Sequence, residues 1–115
     1  MSLTEKEVRA KIQQAVGKSV KFTFPNAKDN QVGHLMERVI VGSRQRIFWN
    51  VVDLIDFPKK GKSKLCIRIG YYKQVGDKLH WASRMTITEP VDQMKRIFAE
   101  AAEQKKWFRD LLPKT

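Results

Sequence analysis

Asp53, Asp56, Lys59 and Lys60 fall within VVDLIDFPKKGK, the stretch of this chain closest in residue type to metal-dependent hydrolysis. Carboxylates can hold a magnesium ion, and a lysine can support the attacking water. The spacing works against that chemistry. Residues three apart in a strand point to opposite faces, so Asp53 and Asp56 converge only where the chain bends. The spacing also misses an Asp followed by Glu-x-Lys. His34 and His80 are the only histidines, and neither has a Cys or carboxylate at metal-ligand spacing. Cys66 lacks a histidine–acid set around it and reads as a small, buried or half-buried thiol. Gly61 stands alone in its lysine-rich segment, so no glycine loop is formed to cradle phosphates. The chain therefore reads as non-catalytic, with neither metal nor cofactor expected, and a magnesium-dependent nuclease is a distant third reading.

Binding is the better-supported alternative, and charge is the reason. Twenty-three Lys and Arg against twelve Asp and Glu leave +11 over 115 residues, with a pI near 10.1. Such an excess favours polyanions, because each neutralised phosphate releases condensed counterions. An anionic membrane surface would be attracted by the same term. The length suits one domain, residues 1–115, and a hydrophobic fraction of 42% supplies a core. A single cysteine leaves no internal disulfide and suits a reducing, cytoplasmic compartment. No apolar run approaches the roughly 20 residues of a membrane span.

The elements that must carry this charge are legible in the patterning. Thr4 and Glu7 have capping-box spacing, Leu3 and Val8 that of a hydrophobic staple. Val8, Ile12, Ala15 and Val16 then form an apolar stripe that Gly17 ends. Val20, Phe22 and Phe24 alternate with Lys21 and Thr23 as a half-buried strand. VGHLMERVIV and RQRIFWNVVDLIDF follow, joined by a turn at Gly42-Ser43. Neither alternates cleanly, which predicts a bulge, strong curvature or burial on both faces. PKKGKSK, residues 58–64, is a loop. Thr88 has the position of an N-cap for a helix whose stripe is Val91, Met94, Ile97, Phe98, Ala101 and Ala102. That helix either continues through Trp107, Phe108, Leu111 and Leu112 or kinks near Lys105. The order predicts an α+β fold: an N-terminal helix, a curved antiparallel sheet of about five strands, and a long C-terminal helix packed on the sheet.

KLCIRIGYYKQVGDKLHWASRMTITEP, from Lys64 to Pro90, is expected to fold as a hairpin whose first strand is Lys64 to Lys73, with Gln74 to Asp77 as the connection and Gly76-Asp77 suited to a tight turn. Alternation gathers Leu65, Ile67, Ile69 and Tyr71, with Leu79, Trp81, Met85 and Ile87, on a core face. The opposite face then carries Lys64, Cys66, Arg68, Gly70 and Tyr72, with Lys78, His80, Ala82, Arg84 and Thr86. Arginines pair with phosphates or stack on bases, and a tyrosine ring accepts a base regardless of sequence. Lys59, Lys60 and Lys62 extend that surface, as do Arg44 and Arg46 if their strand is adjacent. A bulge at Gly70 would exchange the two tyrosines.

Ile67-Arg68 with Tyr71-Tyr72, then Met85-Thr86-Ile87-Thr88 leading into a helix at Glu89, resembles the single-strand-DNA-binding family of transcriptional positive coactivators and their small bacterial relatives. The similarity spans roughly Val32 to Ala102. It implies a curved four-stranded sheet followed by a helix used for dimerisation, with Arg68 and Tyr72 as nucleic-acid contacts. The combined expectation is a small basic domain binding single-stranded DNA or RNA through Lys59, Lys60, Lys62, Lys64, Arg68, Tyr72, His80 and Arg84. The alternative is a protein-interaction or homodimerisation module using Trp107, Phe108, Leu111 and Leu112.

Overall fold

Thr4 opens the first helix as its spacing to Glu7 dictates. The computed structural model describes residues 3–22, 31–43, 47–58, 64–82 and 87–111, apart from the side chains of residues 21, 22 and 31. Helix α1 is Glu5–Gln13. The Thr4 hydroxyl accepts from the Glu7 amide at 3.2 Å, and the Glu7 carboxylate accepts from the Thr4 amide at 3.3 Å. Two backbone donors that a helix start leaves unpaired are thereby satisfied. Val8 and Ile12, one turn apart, are buried. Gly17 follows with φ +89°, a conformation that favours glycine, and its amide donates to the Leu35 carbonyl at 2.7 Å.

Five strands follow: β1 (Ser19–Phe22), β2 (Gln31–Gly42), β3 (Phe48–Asp56), β4 (Leu65–Val75) and β5 (Lys78–Trp81). They form one antiparallel sheet in chain order. Helix α2 (Val91–Gln104) and the short α3 (Lys106–Arg109) complete the chain. The α+β architecture expected from the patterning is the one observed.

By internal contacts the chain divides into two compact units, one of residues 4–38 and 53–68, the other of residues 1–3, 39–52 and 69–115. In the first, Leu35, Ile55 and Phe57 form a buried cluster on which Ala15, Val16, Val20 and Cys66 pack. In the second, Ile97 and Ala101 of α2 are buried, and the Gln93 amide donates to Asn50 Oδ1 at 3.2 Å. Asn50 in turn donates to Glu89 at 3.2 Å, so this fully buried amide is satisfied on both sides.

The poor alternation of the second and third strands now has physical causes. Seven consecutive residues of β3, Trp49 to Ile55, are buried, which requires cover on both of its faces. In β2, Leu35 meets Ile55 and Phe57 while Arg38 meets Asp53. Leu35 and Arg38, three residues apart, both pack against residues 53–57, so simple alternation does not describe β2.

One boundary differs from the sequence expectation, one decides between its two alternatives, and one is described only in part. The N-cap of α2 is Pro90 and not Thr88, and no side chain caps it. Pro90 is pre-set for a helix entry and has no N–H to satisfy. The C-terminal helix breaks at Lys105, whose φ of −130° and ψ of 120° are extended. Strand β5 is described as Lys78–Trp81, and Ser83, Arg84, Met85 and Thr86 lie outside the described residues.

Candidate nucleic-acid interface

Register decides which side chains share a face. Two backbone bonds fix β3 against β4: the Phe57 amide donates to the Lys64 carbonyl at 2.8 Å, and the Gln74 amide to the Ile47 carbonyl at 2.7 Å. Both place Asp53 opposite Arg68. The β4–β5 pairs are Tyr72 with Trp81, Lys73 with His80, Gln74 with Leu79 and Val75 with Lys78. Directly opposed residues of a ladder point to the same side. Tyr72, Gln74, Leu79 and Trp81 therefore share one face, and Lys73, Val75, Lys78 and His80 the other.

This corrects the sequence sorting, which joined Tyr72 to His80 and set Trp81 against both. The Tyr72 and Trp81 rings are 5.0 Å apart at 57°, and both side chains are half-buried. Trp81 also lies over Gly70, where a Cβ would collide with the indole ring. No bulge at Gly70 is involved, since Cys66, Arg68, Gly70 and Tyr72 keep strict alternation. Tyr71 goes with the Lys73 face, its ring edge-on to Phe48 at 5.7 Å.

Arg68 turns inward. It donates to Asp53 Oδ2 through Nε at 3.2 Å and Nη2 at 2.9 Å. Arg38 holds the same carboxylate from Nε at 2.7 Å and Nη2 at 3.0 Å, and its Nη1 donates to the Ile12 carbonyl at 2.8 Å. Side-chain exposures are 0% for Asp53, 1% for Arg38 and 20% for Arg68. A carboxylate taken out of water requires such partners, and a planar guanidinium matches it with two parallel bonds. The cluster binds the end of α1 to β2, β3 and β4 within the first unit. Its residues are committed to folding chemistry. Arg38 was missed in the sequence, where ERVIV read only as strand.

Asp53 is thus held by two guanidiniums, while Asp56 accepts the Lys64 amide at 3.1 Å and lies three residues away on the other face of β3. The two carboxylates do not converge. Among the described residues, no group of three or more His, Cys, Asp or Glu is placed to hold a metal.

Of the other expected contacts, Lys64 and His80 are exposed. Lys59, Lys60, Lys62 and Arg84, with Arg44 and Arg46, lie outside the described residues. The structure adds Lys73 and Lys78, both exposed. Among the described residues no carboxylate pairs with Lys64, Lys73, Lys78 or His80. In the C-terminal cluster, Phe108 is buried and packs on Phe98 at 5.6 Å and Trp107 at 6.3 Å. Leu111 is exposed, and Leu112 lies outside the described residues.

Comparison with known proteins returned no matching family model, no similar curated protein and no similar solved structure.

Proposed function

We propose that this chain is a non-catalytic nucleic-acid-binding protein with a preference for single strands. The observation that carries the reading is the net charge of +11. Arg38 and Arg68 share one carboxylate, so that cluster removes little of the excess. Exposed lysines without carboxylate partners remain to meet phosphates. Each phosphate they neutralise contributes through counterion release, which makes affinity steeply salt-dependent. Tyr71, half-buried on the same face as Lys73 and Lys78, supplies a ring on which an unpaired base stacks without sequence preference.

The test is a salt titration of binding to labelled single- and double-stranded oligonucleotides. The expected result is tighter binding to single strands, with log Kd rising linearly in log salt. An absence of binding at low salt overturns the reading. Self-association has a narrower basis, since Phe108 is used inside the chain and Leu111 alone of the described cluster is exposed. Light scattering on wild type and Trp107→Ala separates it: an interface anchor changes the mass, whereas packing on Phe108 changes only stability.

A further inference from the structure

We infer that the outward face of the β4–β5 hairpin, built from Lys73, Lys78 and His80 with Tyr71 and Val75 between them, is the surface that takes the phosphodiester backbone of single-stranded nucleic acid. The inference rests on the nucleic-acid reading above and assigns it a site.

Gly76, at φ +60°, and Asp77 form a two-residue connection, so Val75 is paired with Lys78 and Lys73 with His80. Gln74 fixes this geometry from the other face. It accepts the Trp49 indole N–H at 2.9 Å and donates its own amide to the Gly76 carbonyl at 3.1 Å. The hairpin is therefore a held scaffold, and its outer side chains are presented in a defined array.

That array is unfavourable in the free protein. Like charges close together on a sheet face repel, and Lys73 lies diagonally across the ladder from Lys78 on this face, with His80 directly opposite Lys73. No carboxylate among the described residues pairs with them. Arg9 and Arg96, by contrast, are each matched by a glutamate four residues away. A polyanion supplies the missing countercharge. Lys78 and His80 are separated by two residues of strand, about 6.6 Å, comparable with successive phosphates along a stretched single strand.

The neighbouring residues favour nucleic acid over a lipid surface. Membrane-surface elements bury a row of large apolar side chains beneath their cations. Within residues 71–80 Val75 is the one exposed aliphatic, Leu65 lies ten residues back along β4, and Tyr71 is half-buried against Phe48. A tyrosine ring two residues from Lys73 is placed to meet a sugar or base beside the bound phosphate.

The experiment compares two double charge reversals of equal net charge by fluorescence anisotropy with a labelled oligothymidylate across a salt series. One is Lys73→Glu with Lys78→Glu. The other is Lys6→Glu with Lys11→Glu, on the exposed side of α1. The hairpin variant is expected to weaken binding at low salt about tenfold or more and to lower the log–log salt slope by about 1.4, the value for two single-strand phosphate contacts. The α1 variant is expected to bind within about threefold of wild type. Equal losses in the two variants, with wild type binding, overturn this assignment and leave the general reading standing. A wild type that does not bind overturns both. Loss of binding to vesicles rich in phosphatidylserine, with oligonucleotide binding retained, also overturns it. Lys73→Gln with Lys78→Gln repeats the comparison if charge reversal disturbs folding, which circular dichroism reports.

Discussion

Arg68 shows how one residue type serves two incompatible purposes. In sequence it sits among aromatics on a basic chain and reads as a phosphate contact. In the fold it completes the coordination of a carboxylate with no exposure to water. The signal that separates the roles is the pairing of Asp53 with Arg68, set by a register invisible in either strand alone. Removing one member of such a cluster strands a buried charge. Asp53→Ala is expected to cost about 3–5 kcal/mol, measured by urea unfolding. Arg68→Ala should lower the unfolding midpoint while leaving oligonucleotide affinity within about twofold at temperatures where it is folded. A binding loss without a stability loss would reverse that assignment. At Gly70 the limit is steric. Gly70→Ala places a methyl against the Trp81 ring and is expected to cost about 1–3 kcal/mol, with a change in tryptophan emission as the reporter.

At the scale of elements, most boundaries were legible because their causes are local. The capping box at Thr4 and the alternation that marks β1 need no long-range information. Thr4→Ala is expected to destabilise by about 1 kcal/mol, read from the thermal midpoint. Thr88 misled because Pro90, two residues later, takes the cap position itself. The hairpin faces misled for a different reason. A two-residue turn joins residues of opposite parity, so odd positions of β4 share a side with even positions of β5. Sorting each strand by hydrophobicity alone put Trp81 with Tyr71, whereas Tyr72 is its partner. The parity was present in the sequence, but the apolar pattern outweighed it. The uneven pattern of β2 was legible only as several options, since Leu35 and Arg38 are tied to residues 53–57 by contacts fifteen or more residues away in the chain.

For the whole molecule, the net charge is the property that sequence conveys without a fold. It predicts a steep salt dependence of oligonucleotide binding and indifference to magnesium beyond its ionic strength. Magnesium-dependent cleavage abolished by Asp53→Asn would contradict the non-catalytic reading directly. How the charge is distributed is what sequence does not convey. Two arginines are drawn in around one aspartate, while lysines of β4 and β5 stay in water.

Cys66 packs against Leu35, Ile55 and Phe57 and is the chain's single thiol. It is therefore a built-in clock for the first unit. Half-buried, it is alkylated slowly in the folded state and faster when that cluster parts, so a rise in labelling rate reports more frequent opening. Destabilising the ion cluster should speed labelling, whereas the hairpin reversals at Lys73 and Lys78 should not. A single-site mass shift followed over time would then report, residue by residue, which substitutions loosen the fold and which only change what it holds.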